Sequence, residues 1–225
     1  MEGQLKYPLD PQSKKIIERT VDEFLEDKIF DLMWKNTFHW ITLFESLDGF
    51  NVTADVQNIS HSGVSITTSD VEDNVAYLTK QPSIQGLITF SQKSCMRSAF
   101  VIGSVADVTS YILVGDTSSE SYYGFKIVDN SLKGVSYDGT TEKTVDLKTI
   151  SASTVYSIEA RFSPADKIIF LVNAVEMGVI QENLPSRLAV VNILPLRFSI
   201  QTNTTAAKTL QFSFWEYLQS RDILR

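Results

Sequence analysis

The sequence predicts a mainly β protein, a sandwich of two antiparallel sheets with an amphipathic α-helix at its N-terminus. Three observations predict it. Short segments of period-two alternation recur along most of the chain and are separated by turn residues. Helix formers thin out after about Phe44, where serine, threonine and valine become abundant. Ahead of that point, apolar residues recur at helical spacing. At 225 residues, 43% hydrophobic and 21% charged, the chain is globular in composition and long enough to bury a large core without staples.

The helix comes first. Asp10 is placed as N-cap with Pro11 at the first helical position. From Ile17 the apolar stripe runs through Val21, Phe24, Leu25, Ile29, Leu32 and Met33, opposite Glu18, Arg19, Asp22, Glu23, Glu26 and Asp27. The helix fades near Lys35–Thr37. The expected domain boundary lies near Thr42, giving an arm and helix over 1–42 and a sandwich over 43–225.

Strands are then expected at Phe38–Phe44, Gly63–Thr67, Ala76–Thr79, Gly86–Ser91, Ser98–Ile102, Tyr111–Val114, Tyr123–Val128 and Gly134–Tyr137. Six more follow at Lys143–Leu147, Val155–Phe162, Lys167–Val172, Val175–Ile180, Leu196–Thr202 and Thr209–Leu218. Asp48-Gly49, Asp129-Asn130, Asp138-Gly139 and Ser163–Asp166 supply turn chemistry. Alternation points Tyr156, Ile158, Ala160 and Phe162 inward and Ser157, Glu159 and Arg161 outward. In the last strand it puts Leu210, Phe212 and Phe214 on one face, and Trp215 and Tyr217 on an outer one. Trp215 and Tyr217 would then receive the helix stripe.

The segment Tyr111–Pro185 resembles the concanavalin A-like lectin/glucanase and laminin G-like sandwiches. It carries Gly124-Phe125 before a hairpin, Tyr156-Ser157-Ile158-Glu159 on a central strand, and the hairpin Phe170-Leu171-Val172-Asn173. FESLDGF and LQFSFWEYL resemble the opening and closing strands, and the likeness spans about Phe44–Leu218. The sequence departs at Ala174, where the pattern often has glycine. The resemblance implies a concanavalin A-like jelly-roll β-sandwich and no single function. Domains of this kind also occur in structural proteins of bacterial and archaeal viruses, which suits the helix ahead of the sandwich.

Enzymatic chemistry is not expected. Glycosidases of this fold carry a Glu-x-Asp-x-x-Glu array on one strand, and no such array is present. Asp70, Glu72, Asp73 and Asn74, or Asp129 and Asn130, could offer oxygens to calcium, but their spacing reads as turn residues. His39 and His61 lack partners at zinc-ligand spacing. Cys95, the single cysteine, excludes an internal disulfide and has no positioned base in its sequence neighbourhood. No catalytic residue, cofactor or metal is therefore assigned.

Net charge is −7 and basic residues are scattered, which disfavours nucleic acid. No apolar run has the length of a membrane span. The expected function is a non-enzymatic structural or interaction protein, a capsid or tail component of a virion. The alternative is a carbohydrate-binding module of lectin type. Assembly contacts are expected at Ile17, Val21, Phe24, Leu25, Trp215 and Tyr217, with copies of the same chain as partners. Tyr122 and Tyr123 are the candidate glycan contacts; the competing reading is that they begin a strand with one of them buried. Localisation follows as the virion, or the cytoplasm for a non-viral protein, because the N-terminus lacks an apolar secretion segment.

Overall fold

The structure is a computed structural model. It describes residues 37–42, 50–53, 56–60, 63–80, 90–115, 121–185 and 196–220, with the backbone alone for 37–42, 56–60 and 80. The predicted helix lies outside the described residues, and with it Ile17, Val21, Phe24 and Leu25. So do the Asp48-Gly49 turn and most of the strand expected at Gly86–Ser91, of which Phe90 and Ser91 form a turn.

Fifteen strands are described: β1 (Thr37–Thr42), β2 (Phe50–Thr53), β3 (Val56–Ser60), β4 (Gly63–Thr67), β5 (Val75–Lys80), β6 (Ser94–Ile102), β7 (Val108–Gly115), β8 (Tyr122–Val128), β9 (Ser131–Tyr137), β10 (Glu142–Thr149), β11 (Val155–Ser163), β12 (Lys167–Val172), β13 (Val175–Ile180), β14 (Leu196–Thr202) and β15 (Thr209–Ser220). They make two antiparallel sheets. One runs β13-β12-β11-β6-β15-β4-β3, with β1 also paired to β15; the other runs β10-β9-β8-β7-β14-β5-β2. β2 and β3 were not expected from the sequence; the others fall where alternation puts them.

The inner faces carry the core. Tyr156, Ile158, Ala160 and Phe162 of β11 are buried, as alternation requires. They lie in register with Phe100, Ser98, Met96 and Ser94 of β6. From the other sheet come Ile112 and Val114 of β7, Tyr123, Phe125 and Ile127 of β8, and Phe198 and Ile200 of β14. Aromatic pairs lock the two layers. Tyr123 stacks on Phe162 at 5.1 Å, Phe125 meets Phe170 edge-on at 5.5 Å, and Phe198 tilts against Phe212 at 4.2 Å. Burying a side chain of this size stabilises by about 1.5–3 kcal/mol.

The last strand departs from simple alternation. Phe212 opposes Phe100 and Phe214 opposes Ala99, so Ser213 is an inserted bulge residue. The insertion reverses the parity of everything after it. Trp215 and Tyr217 therefore join Leu210 and Phe212 on the inner face, fully buried, and stack on each other at 5.7 Å. Phe214 turns to the outer face and is half-buried. This corrects the expectation that Trp215 and Tyr217 form an outer receptor for the helix.

The bulge is accommodated by two neighbours. Ser98 Oγ donates to the Phe214 carbonyl at 2.7 Å, satisfying an acceptor beside the bulge. Gly63, at φ +118, lies against the same turn of backbone. A Cβ at that position would fall 1.8 Å from the Phe212 carbonyl oxygen and 2.7 Å from Ser213 Cα. Only glycine fits both the space and the left-handed angle.

Candidate functional site

The two tyrosines opening β8 separate by parity. Tyr123 points inward and shares a 2.8 Å hydrogen bond with Ser94 Oγ. Burial first, and then the neighbouring Tyr217, holds its phenol well above the ordinary value. Tyr123 is a core residue. Tyr122 points to the outer face of the seven-stranded sheet but is itself only 6% exposed, so both expected glycan contacts are buried and only the neighbours of Tyr122 on that face present ring surface to a ligand.

That outer face is unusually aromatic, because β7 and β9 carry apolar side chains on both sides. Tyr122 opposes Tyr137 across the β8–β9 ladder, and their rings stack at 5.1 Å. Beneath them Leu113 and Val135 are buried, with Tyr111 packed alongside. Farther across the sheet, Tyr111, Ser199 and Tyr77 form one cross-strand row. The Arg197 guanidinium lies 5.0 Å from the Tyr77 ring. Tyr77, Tyr111 and Tyr137 are each half-buried, so part of each ring remains at the surface.

Polar groups converge on the stacked pair. The Tyr122 hydroxyl donates to Glu142 Oε2 at 2.6 Å, and Lys126 Nζ donates to Glu142 Oε1 at 2.6 Å. Burial and then this carboxylate push the Tyr122 phenol far above its ordinary value, so it remains a donor. Burial pulls Lys126 down, but its hydrogen bonds to Glu142 and Tyr111 prevail and leave its pKa raised, so it remains a cation. Its Nζ stands 5.2 Å from the Tyr111 ring centroid. The ladder places Lys126 and Glu142 two strands and four residues apart, about 16 Å between Cα atoms on a flat sheet. The two side chains nevertheless close to 2.6 Å over the twisted sheet.

Carboxylates stand on the outer faces of both sheets. On β10, Glu142 and Asp146 face outward four residues apart, about 13 Å along the strand, against the roughly 5–9.5 Å between the carboxyls of a glycosidase pair. Asp146 is also bridged to Lys133 at 2.7 Å. On the eight-stranded sheet, Glu159, Arg97 and Glu216 lie in one cross-strand row. Arg97 bridges Glu159 at 3.0 Å and Glu216 at 3.5 Å. Burial raises the Glu159 carboxyl, but Arg97 and Arg161 overcome it and hold the pKa below the ordinary range. A general acid needs the opposite shift. Cys95, beside this row, is pushed up to about 12 by burial and then by Glu159, so it is a protonated thiol and a poor nucleophile at neutral pH.

The acidic turns take part in local hydrogen bonds. Asn74 Oδ1 accepts from Ser69 N at 2.9 Å, Gln201 donates to Asp73 at 3.2 Å, and Asp129 Oδ1 accepts from Val108 N at 3.2 Å. Among the described residues, no group of three or more His, Cys, Asp or Glu could hold a metal ion. Among them too, no helix is long and apolar enough to cross a membrane.

Comparison with solved structures decides the fold. A prokaryotic β-1,3-1,4-glucanase (lichenase) from a mouse hindgut metagenome superposes with TM-score 0.61 at 10% identity, covering 80% of this chain and 98% of that one. A Bacillus licheniformis β-glucanase gives TM-score 0.59 at 8% identity, covering 80% and 97%. The fold is a concanavalin A-like jelly roll. The same jelly roll occurs in a botulinum neurotoxin type C structure described as dependent on two ganglioside molecules for cell entry, with TM-score 0.60 and 9% identity. There the match covers 86% of this chain and 50% of that one. No protein-family model and no curated protein matches the sequence. At these identities the likeness speaks for the jelly roll alone.

Sequence reasoning reached Tyr122 but missed Tyr77, Tyr111, Tyr137, Lys126 and Glu142. Each lies on a different stretch of chain, and only the strand order brings them to one face. The usable signal was the apolar character of both faces in YILVG and of Val135 and Tyr137 in GVSY.

Proposed function

We propose that this jelly roll is a non-catalytic glycan-binding module whose ligand lies on the outer face of the seven-stranded sheet. The observation that carries the reading is the half-buried Tyr137, stacked on Tyr122 and joined through it to Glu142 and Lys126 on the outer face of the sheet. Sugars present apolar C–H faces and polar hydroxyl edges, so they suit aromatic rings flanked by fixed donors and acceptors. The glucanase and toxin neighbours give carbohydrate recognition a precedent on this architecture.

The test is binding to an array of neutral and acidic polysaccharides, followed by isothermal titration of those that bind. Tyr137→Ala and Tyr111→Ala should each weaken binding roughly tenfold while leaving the melting temperature within a few degrees of the parent. Unchanged affinity in both variants would move the site elsewhere.

A second reading makes the chain an assembly subunit, as in a virion. It is favoured by Val175, Met177 and Val179 of edge strand β13, which are 58%, 38% and 38% exposed. By contrast β10, one of the two edge strands of the other sheet, bears Glu142, Lys143, Asp146 and Lys148, the charged protection usual for an edge. Light scattering tests this reading, because Met177→Lys should shift an oligomer to monomer and leave a monomer unchanged.

A further inference from the structure

Resting on the glycan-binding reading, we infer that the site selects neutral saccharides bearing vicinal hydroxyls and rejects acidic ones, with Glu142 as the residue that sets this choice. The argument starts from the pairing of charge on the face. Lys126 is bridged to Glu142 at 2.6 Å, and Lys133 to Asp146 at 2.7 Å. An incoming carboxylate meets each of these ammonium groups with an anion already beside it. Arg197, farther across the sheet, lies over the Tyr77 ring.

The Glu142–Lys126 pair retains hydrogen-bonding capacity. A carboxylate offers about four lone-pair sites; at Glu142 the Tyr122 hydroxyl and Lys126 each take one. An ammonium has three donors; that of Lys126 serves Glu142 and reaches toward Tyr111. The Glu142 side chain is 29% exposed and that of Lys126 19%, so the remaining capacity faces solvent. An adjacent acceptor and donor match two neighbouring hydroxyls, one donating to Glu142 and the next accepting from Lys126. The half-buried Tyr137, backed by the buried Tyr122, lies beside them as the surface for the ring. A carboxylate-bearing sugar in the same place would replace a donated hydrogen bond with like-charge contact against Glu142.

The choice is tested on the parent protein with two probes, a neutral mixed-linkage glucan and a polygalacturonate of similar length, titrated at low and moderate salt. The glucan should bind at least roughly tenfold more tightly than the polyuronate. Glu142→Gln keeps an acceptor for Tyr122 and removes the charge, so the preference should narrow by a comparable factor, with glucan affinity falling and polyuronate affinity rising. Parent protein that prefers the polyuronate, or a Glu142→Gln variant with the parent's preference, overturns this inference and leaves the glycan-binding reading standing. Parent protein that binds no polysaccharide of either class overturns both.

Discussion

Replacing Trp215 by alanine, beside the same replacement at Phe214, distinguishes the bulged last strand from the regular one that alternation suggests. In a regular strand Phe214 would share the core face with Phe212, and Trp215 would face out. In the structure Ser213 is inserted, Trp215 is fully buried between the sheets, and Phe214 is half-buried outside. Truncating a buried tryptophan costs about 3–5 kcal/mol through lost transfer energy and the cavity left behind. Trp215 also gives up its stack with Tyr217. Truncating Phe214 removes only part of that burial and opens toward solvent, for about 1–2 kcal/mol. In a domain of this size each kcal/mol moves the melting temperature by about 2–4 °C. Trp215→Ala should therefore melt about 6–20 °C below the parent, and Phe214→Ala about 2–8 °C below it, the smaller loss of the two. Urea midpoints at unchanged slope would give the same order. A larger loss for Phe214→Ala than for Trp215→Ala would refute the bulge.

Gly63→Ala should destabilise by at least about 2–3 kcal/mol in urea unfolding, because its left-handed φ and its contact with the bulge backbone both exclude a Cβ; an unchanged midpoint would show that the bulge relaxes freely. Cys95, with its thiol raised to about 12, should react with a disulfide reagent at pH 8 orders of magnitude more slowly than a free thiol, and Cys95→Ser should leave the melting temperature nearly unchanged. Rapid labelling in the folded state would contradict its protonated character. Glu159 is the pH-sensitive member of its row. Its folded pKa lies below the unfolded one, so its contribution is complete above the ordinary carboxylate range and is lost as pH falls through the depressed value. Stability measured from pH 6 down to pH 2 should fall less steeply in Glu159→Gln than in the parent, and parallel curves would remove Glu159 from the acid response.

The sequence showed most of the sandwich because buried strands print their period. β11 reads Tyr156, Ile158, Ala160, Phe162 inward without interruption, and the structure agrees. β2 and β3 escaped notice because FNVT and VQNIS are short and half polar. The last strand misled because a bulge leaves no mark in a hydrophobic pattern; Ser213 looks like any outward serine until its partners on β6 are known. The site was hidden for another reason. Tyr122 and Glu142 are 20 positions apart, and Tyr111 meets Tyr77 only through Ser199 on β14. Alternation assigns side chains to faces, but strand order decides which of them meet, and order is set by long-range pairing.

That order also bears on how the chain is made. Without β14 and β15 the seven-stranded sheet separates into β10-β9-β8-β7 and β5-β2, and the eight-stranded one into β13-β12-β11-β6 and β4-β3, with β1 losing its partner β15. Each late strand is the rivet that joins a larger piece to a smaller one. During synthesis these pieces wait with raw, apolar edges on β7, β5, β6 and β4, the kind of edge that pairs with whatever strand is nearby. Both sheets close only when the final stretch from Leu196 leaves the ribosome. A stop codon in that stretch would leave β4 through β13 intact in sequence, yet produce a chain prone to stick to its neighbours.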